Sequence, residues 1–467
     1  MKNIENDVSD MISNVRINTI YNNLGKCEEE ENHIKIGIIG AGKFSTMFLA
    51  QAIQTKGFHI VAVGDLVLNR IKKSLITAGF SKEQMCSKLD DAISSMGTWV
   101  TEDCEAISKI EELDILVEAT GNPESGVLHS LNAFDNFTNV VLVTVEADVL
   151  CGPMLAKIAN QKGVILSMAY GDQPALICEM IDKVKTSGFE VVYAGKGTKY
   201  LPVYHESTPE KVWDFYGLSN EEAKKGNLNP KMFNSFLDGT KSSIEMAAVS
   251  NSENLMVPKT GLAFPAIGVS KLAEELGKKS LALSNQRGSV EVVSSMNRDG
   301  TEILDHLRFG VFVVFKASTE YVKRCFYEYG ISTDIGSEFA AIWRPVHLIG
   351  LELGVSIASV HFDKRPTGST VDFIGDVVAV AKRNLVVGEH LDGEGGETVW
   401  GRLSPSSDSL FNNALPIGLS HNAIIIRNIK KGEVISWQDV KIKNSSKAFH
   451  LRKKMERDYR SSILLDV

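Results

Sequence analysis

The sequence predicts an α/β protein whose first domain is a Rossmann-type, doubly wound parallel sheet. Two patterns predict this sheet: apolar runs of strand length alternate with helical stretches, and the first apolar run ends in Gly-Ala-Gly. A mixed strand and helix pattern follows, and a motif occurs twice near the C-terminus. These two features predict a central α+β domain and then a small β-rich domain.

Five apolar runs of strand length follow one another early in the chain, at 34–40, 58–65, 114–120, 139–145 and 163–169. Helical stretches lie between them, at 43–56, 66–78, 123–133 and 150–162. Strands that are apolar on both faces and alternate with helices form parallel sheets covered on both sides. Such a sheet binds its ligand beyond the carboxyl ends of its strands, so functional residues are expected there.

The chain divides into five predicted segments. Apolar positions at helical spacing and an acidic run at 28–31 predict a leading amphipathic helix and a solvated linker. The run 344–360 is apolar enough for a long buried helix. The motif R-N-[LI]-x-x-G-E-x-[LI] at 383–391 and 427–435 predicts two equivalent edges of a β-rich domain. The predicted boundaries are 1–33 for the helix and linker, 34–170 for the Rossmann domain, 171–370 for the central domain, 375–445 for the β-rich domain and 446–467 for a helical tail.

Composition excludes several classes of protein. Of the 467 residues, 43% are hydrophobic and 23% are charged, and the net charge of −8 gives no electrostatic reason to bind nucleic acid or an anionic membrane. No apolar run approaches the roughly eighteen residues of a membrane span, and the first residues lack a signal-peptide pattern. The six cysteines form no CxxC pair, which argues against a structural zinc. We expect a cytoplasmic homo-oligomer that acts on a small molecule.

The Gly-Ala-Gly turn is the first candidate site. Gly40 permits a tight turn from strand to helix, and Gly42 lets a pyrophosphate approach the backbone. The helix that starts at Lys43, Phe44 and Ser45 would direct its free N–H groups at the phosphates. Ser45 stands where the dinucleotide fingerprint usually has a third glycine. The pattern alone is also typical of a structural turn, but the strand before it and the helix after it favour a dinucleotide.

Three more residues are candidates for holding that dinucleotide. Asp65 ends the second apolar run, 25 residues after Gly40, where an acidic residue binds the ribose 2′-hydroxyl. A carboxylate there would repel a 2′-phosphate, which favours NAD over NADP, although Arg70 would weaken this preference. Thr120 ends the third run and Gly121 follows it, and both would contact the ribose and nicotinamide side. The alternative is a plain turn before a helix.

Acidic residues follow the next two apolar runs. Glu146 and Asp148 would lie at the rim of the crevice, with Glu146 contacting substrate; the alternative is that both complement the dipole of a helix N-terminus. Asp172, between a glycine and Gln-Pro, is a candidate for relaying a proton. Its alternative role is the N-cap of a helix. No spacing of acidic residues indicates a metal site, so a divalent metal stays open.

Lys196 is the strongest candidate for catalysis. It follows an apolar strand in the segment AGKG, and the two flanking glycines are expected to leave it room. Reduction of a carbonyl needs a cation or proton donor at the oxygen, where negative charge develops. The alternative is a solvated loop lysine. Lys199 is a second candidate for binding substrate. Arg344 and His347, in WRPVHL, could hold an anion and supply an acid or base, although a histidine there is often a core residue.

Several of these motifs occur in the order found in one family. IKIGIIGAGKFS, DILVEATGNPE, VTVEADV, AYGDQPA, AGKG, WRPVHL and the C-terminal repeat together resemble the homoserine-dehydrogenase-like oxidoreductases with a C-terminal SAF domain, which include the deoxyxylulose-phosphate reductoisomerase-like enzymes. The resemblance covers nearly the whole chain. It implies a Rossmann domain, a central catalytic and dimerising domain, and a β-clip SAF unit.

The resemblance also implies roles for residues of the central domain. Lys196, Arg344 and His347 match residues of the family's substrate pocket, and Asp172 matches an acid of the motif GD-x-P. The sequence departs from the reductoisomerase-like enzymes, which use NADPH and have basic residues where this chain has Asp65. Ser45 and the segment after AGKG also differ, so the substrate is expected to differ as well.

We therefore expect an NAD(P)-dependent oxidoreductase that acts on a small polar hydroxy-carbonyl compound, phosphorylated or not. Lys196 would polarise the carbonyl, Asp172 or His347 would relay a proton, and Arg344 would hold an anionic group. A reductoisomerase would use the same groups for its rearrangement. One alternative is a homoserine dehydrogenase. Another is a module that binds a nucleotide and senses a sugar without any redox chemistry.

Overall fold

The computed structural model describes residues 19–226, 228–281, 287–443 and 446–465, with side chains as far as residue 461. The positions that predict a helix before residue 19 lie outside the described residues. Helix α1, Ile20–Glu29, is capped by Thr19, whose hydroxyl accepts a hydrogen bond from the Asn22 N–H. Glu28 lies in this helix and accepts a hydrogen bond from the Gly57 N–H at 2.8 Å. The expectation of a linker beginning at residue 28 is therefore wrong.

A seven-stranded sheet forms the first half of the fold. Its strands are β1 Ile34–Ile39, β2 Phe58–Gly64, β3 Met85–Cys86, β4 Thr98–Thr101, β5 Ile115–Glu118, β6 Asn139–Leu142 and β7 Leu166–Met168. The order is β3-β4-β2-β1-β5-β6-β7, and every pairing is parallel. The helices are α2 Lys43–Ala52, α3 Leu68–Ala78, α4 Leu89–Ser95, α5 Cys104–Ile107, α6 Pro123–Asp135 and α7 Val145–Lys162.

This architecture confirms the predicted fold class. Buried apolar clusters cover both faces of the sheet, as expected for strands that are apolar on both sides. The short strands β3, at the edge of the sheet, and β4, next to it, were not predicted, because they lack a long apolar run. Helix α7 begins at Val145, five residues earlier than predicted, so Glu146 and Asp148 lie in its first turn.

A five-stranded mixed sheet forms the second unit. Its strands are β8 Glu190–Thr198, β9 Ser289–Ser294, β10 Val311–Lys316, β11 Ser332–Thr333 and β12 Phe339–Arg344, in the order β11-β12-β10-β8-β9. The helices here are α8 Gln173–Thr186, α9 Val212–Tyr216, α10 Asn220–Lys225, α11 Pro230–Leu237, α12 Thr240–Glu253, α13 Leu272–Ser280 and α14 Glu320–Glu328. Helices α8 and α12 pack on one face of the sheet and α13 on the other.

The run 344–360 does not form the long buried helix that its apolar content predicts. Strand β12 extends to Arg344, turns follow, and only Gly354–Ala358 is an α-helix, α15, which continues as a π-helical turn at Ser359–Asp363. Pro345 and Gly350 interrupt the helical pattern, and Gly350 has a φ of +77°. A proline and a left-handed glycine end a helix whatever the apolar content around them.

The C-terminal part is rich in short strands. They are β13 Gly375–Ala381, β14 Val399–Pro405, β15 Ile424–Ile425 and β16 Val440–Lys441, with helix α16 Ser406–Phe411 between them and helix α17 Lys447–Leu465 after them. The two copies of the repeated motif pair with each other, because the N–H groups of Leu385 and Ile429 each donate to the other's carbonyl at 2.9 and 3.0 Å. The domain boundaries and the SAF assignment stay predictions. None of the helices in the described ranges is long and apolar enough to cross a membrane.

Candidate functional site

The glycine turn lies where the order of the parallel sheet reverses. Strand β1 is flanked by β2 and β5, and Gly40 follows β1 with a φ of +102°. A Cβ on Gly40 would lie 2.4 Å from the Ala119 carbonyl oxygen, so only glycine fits there. Gly42 is the N-cap of α2 and no side chain caps that helix, which leaves its first N–H groups free. The space beside the Gly42 Cα is open. Open space and free N–H groups fit a pyrophosphate.

Asp65 lies directly beside this turn. Its carboxylate accepts hydrogen bonds from the Ala41 N–H at 2.9 Å and from the Val67 N–H at 3.1 Å. Arg70 donates to the same carboxylate at 3.0 Å, and the Arg70 side chain is more than half exposed. The residue predicted to bind a ribose is thus fixed to the loop that would hold the pyrophosphate.

A buried carboxylate binds the Thr120 side chain of the Thr120–Gly121 turn. The Thr120 hydroxyl donates to Glu118 at 2.6 Å, and the imidazole Nδ1 of His129 lies 3.3 Å from the same carboxylate oxygen. Glu118 is fully buried. The Gly121 N–H donates to the Thr144 hydroxyl at 3.0 Å. Sequence reasoning named Thr120 and Gly121 but missed Glu118 and His129, which position them.

The open space beside Gly42 gives a test of the turn. Gly42 has a φ of −79°, so Gly42→Ala is expected to leave the unfolding temperature unchanged. The added methyl would enter the space above the free N–H groups and weaken NAD binding about tenfold, or about 1.4 kcal/mol. Protein fluorescence during an NAD titration measures the affinity. Gly25→Ala, the same change in open space on α1, is the control; equal affinities of the two variants would contradict this role for the turn.

Lys196 is buried on β8 and forms an ion pair with Glu245 of α12. The two glycines beside it do not make room for its side chain, contrary to expectation. A Cβ on Gly195 would lie 1.7 Å from the Glu291 carbonyl oxygen, and one on Gly197 would lie 1.8 Å from the Leu307 carbonyl oxygen. Glycine is therefore required because neighbouring backbone approaches on both sides of Lys196. This strand is rigidly held, and Lys196 is not a solvated loop residue.

Helix α12 supplies a second lysine that sequence reasoning missed. Lys241 and Glu245 are four residues apart, so they lie on one face of α12. Lys241 forms an ion pair with Glu146 at 2.5 Å, and both side chains are largely buried. Although burial opposes it, the charges of Glu146, Asp172 and Glu245 raise the pKa of Lys241. The signal in the sequence was the pair of opposite charges four residues apart, KSSIE, in a helix whose next charged residue is Glu253 at its end.

Asp172 belongs with these two ion pairs, Lys196–Glu245 and Lys241–Glu146, and the five residues are called the charged cluster below. It is the N-cap of α8, where it accepts a hydrogen bond from the Gln173 N–H at 2.8 Å. This is the alternative role that the sequence predicted for Asp172. Burial raises the pKa of Asp172, and the charge of Glu245 raises it further, while Lys241 and His347 act in the opposite direction. A carboxyl in this setting can hold a proton at a pH where an exposed one is ionised.

Three other predicted site residues form hydrogen bonds with groups outside the charged cluster. Lys199 donates to the Phe215 carbonyl at 2.5 Å. Arg344 donates to Glu352 at 2.6 Å, so its charge is already paired. The Nδ1–H of His347 donates to the Phe309 carbonyl at 2.6 Å.

Asp148 was predicted at the crevice rim, but it is buried against Thr370, whose hydroxyl donates to it at 2.8 Å. Burial raises the pKa of Asp148 to about 6.

One segment connects the glycine turn with the charged cluster. A Cβ on Gly350 would lie 2.9 Å from the Phe44 carbonyl oxygen in the first turn of α2. A Cβ on Gly171, next to Asp172, would lie 2.8 Å from the Leu348 carbonyl oxygen. The turns at 348–352 therefore pack against the first turn of α2 and against the residue before Asp172. Within the described ranges, no set of three His, Cys, Asp or Glu side chains is arranged to hold a metal ion.

Residues 171–353 match the family model described as "Oxidoreductase DRL, catalytic domain". The match covers less than half of the chain and includes Asp172, Lys196, Lys241 and Glu245. It confirms the prediction of an enzyme of the oxidoreductase class and leaves the substrate open. No curated protein is significantly similar to the chain in sequence.

Solved structures give fold-level likenesses only. An oxidoreductase from Agrobacterium radiobacter with NAD+, L-tartaric acid and magnesium is 15% identical over 36% of this chain and 44% of that one, with a TM-score of 0.28. The myo-inositol dehydrogenase of Lactobacillus casei with NAD(H) and myo-inositol is 14% identical over 38% and 50%, with a TM-score of 0.27. Biliverdin reductase of Synechocystis sp. PCC 6803 with biliverdin and NADP+ is 18% identical over 40% and 58%, with a TM-score of 0.25.

The alignments thus span about half the length of these structures.

Proposed function

We propose that the chain is a nicotinamide-dependent oxidoreductase, with a preference for NAD, that acts on a small polar hydroxy-carbonyl compound. The observation that carries the proposal is the buried Lys196–Glu245 pair, which lies inside the matched oxidoreductase region beside Asp172. The glycine turn, with its free N–H groups and open space, supports the dinucleotide. When bound, the nicotinamide would supply or accept a hydride.

The chain's own residues would then manage charge and protons at the substrate oxygen. The Lys196 ammonium is a suitable donor to a carbonyl oxygen, because it is held on a rigid strand and shielded from water. Glu245 orients that ammonium group. Asp172, whose pKa is raised by burial, could hold a proton nearby. The ion pair of Glu146 and Lys241 completes this cluster of charges.

Cofactor preference rests on Asp65. Its carboxylate is fixed to the glycine turn through the Ala41 N–H, at the position where a ribose 2′-hydroxyl would be bound. A 2′-phosphate would meet this negative charge. Arg70 pairs with Asp65, and this would reduce the repulsion without removing it. We therefore propose NAD as the preferred cofactor, with weaker use of NADP.

The resemblance to the deoxyxylulose-phosphate reductoisomerase-like enzymes supports a finer proposal. The substrate would carry an anionic group such as a phosphate, and the reaction would couple a skeletal rearrangement to reduction. Lys199 and Arg344 are candidates for binding the anionic group. Arg344 would have to exchange its pairing with Glu352 for the substrate. A homoserine dehydrogenase would act on a smaller amino acid that carries no phosphate.

A substrate screen tests the proposed function. The full chain is incubated with NAD, NADP or their reduced forms and with hydroxy acids, sugar phosphates, homoserine or aspartate semialdehyde, with and without Mg2+ or Mn2+. Absorbance at the nicotinamide band is the readout. We expect turnover with a phosphorylated hydroxy-carbonyl compound and faster reaction with NAD. Turnover with homoserine would replace the finer proposal, and no binding of either nucleotide would overturn the proposed function.

A further inference from the structure

A loop of the C-terminal β-rich part reaches the charged cluster and is held firmly there. The Asn234 side-chain N–H group donates to the carbonyls of Gly395 and Gly396 at 2.9 and 3.2 Å. Buried Lys382 donates to the Gly396 carbonyl at 2.6 Å. A Cβ on Gly395 would lie 2.0 Å from the Lys231 carbonyl oxygen, so the loop packs directly on α11. These contacts fix the position of the preceding residue, Glu394.

Glu394 faces the ion pair between α7 and α12. Glu394 and Glu146 line the same small cavity. Burial and the charges of Glu146 and Asp238 raise the pKa of Glu394, while Lys241 and a hydrogen bond with Ser235 lower it; together these effects bring the pKa to about 8. A second carboxylate beside an already paired Glu146–Lys241 cannot easily ionise, because one lysine cannot neutralise both.

We propose that Glu394 is a proton-holding residue of the active site, delivered by the C-terminal β-rich part, which exchanges its proton with the Lys241–Glu146 pair during turnover. This inference rests on the proposed function. It gives a reason for the C-terminal part to lie against the catalytic domain, and it adds a residue that no motif in the sequence indicated.

The exchange balances in protons. Lys196 gives a proton to the substrate oxygen, so one N–H bond breaks and one O–H bond forms. The cluster replaces that proton: a Lys241 N–H bond breaks as its proton passes by way of Glu245 to form the N–H bond of Lys196 again. The Glu394 O–H bond then breaks, and its proton forms the N–H bond of Lys241 again. Lys241 connects the two ends: it pairs with Glu146, which lines the same cavity as Glu394. It also lies one helical turn before Glu245, the partner of Lys196. Solvent then protonates Glu394 again.

Thermal unfolding of the full chain between pH 5 and pH 9 tests whether Glu394 holds a proton, without any substrate. An acid whose pKa is raised in the folded state lowers stability as the pH rises from its unfolded pKa toward its folded pKa. Glu394→Gln mimics the protonated form. We expect this variant to unfold at the wild-type temperature at pH 5 and about 3 °C above it at pH 9. Glu397→Gln, an exposed change in the same loop, is the control and should follow the wild type.

Two results would overturn the inference. If Glu394→Gln is less stable than the wild type at pH 9, Glu394 is an ionised partner of Lys241 and holds no proton. If the stability result is as expected but the pH profile of kcat is the same in wild type and Glu394→Gln, the proton is held without being exchanged. A wild-type chain that turns over no substrate contradicts the proposed function instead, and the stability measurement still decides whether Glu394 is protonated.

Discussion

Replacing Lys196 by alanine is expected to reduce turnover about a thousandfold, within the range observed for the loss of a positioned proton donor. The affinity for NAD should stay within about twofold, because Lys196 lies on β8 of the second sheet and the glycine turn follows β1 of the first. Stopped-flow absorbance with the substrate found in the screen measures turnover, and fluorescence titration measures NAD affinity. A loss confined to KM would mean that Lys196 only binds substrate.

Folding must be separated from catalysis in this experiment. Removing Lys196 alone leaves the Glu245 carboxylate buried without its cation, which destabilises a protein by about 3–5 kcal/mol. The double variant Lys196→Met/Glu245→Gln removes both charges and should fold better while remaining inactive. Lys185→Ala breaks a more exposed lysine–glutamate pair, with Glu253 at 2.8 Å, outside the site and should retain full activity. Wild-type turnover of the double variant would exclude Lys196 from the mechanism.

The first half of the fold was predictable because its signals are local. Each central strand is a short run of residues that are apolar on both faces, and Gly40 marks the turn after β1. Alternation of such runs with helices has few solutions other than a covered parallel sheet. The run 344–360 was misjudged because apolar content does not distinguish a helix from buried turns. Pro345 and Gly350 were the better guides there.

The charged cluster was only half predictable. Asp172 follows a glycine turn and Lys196 lies in a recognisable strand, but Lys241, Glu245 and Glu394 come from a helix and a loop far away in sequence. No periodicity indicates that these segments meet. The role of the glycines beside Lys196 could not be predicted from the sequence either, because the backbone that approaches them belongs to β9 and to the segment before β10. Such contacts follow from the packing of the whole chain.

Arg452 on α17 is expected to be the most important single charge for stability. Its guanidinium is fully buried and donates to both oxygens of Asp376 on β13, at 2.5 and 3.1 Å. It also donates to Glu456 at 2.9 Å and to the Leu150 carbonyl of α7 at 3.3 Å. One side chain therefore ties the C-terminal helix to both the first domain and the β-rich part.

Arg452→Met is expected to lower the free energy of unfolding by about 3–5 kcal/mol, because the buried Asp376 would lose its cation. Urea unfolding followed by circular dichroism measures the change. Lys454→Met, which breaks an exposed pair with Asp458 on the same helix, should cost less than about 1 kcal/mol. Adding Asp376→Asn to Arg452→Met should recover part of the loss, since the unpaired charge is then removed. If Arg452→Met is as stable as Lys454→Met, the helix is held by apolar packing and the buried ion pair contributes little.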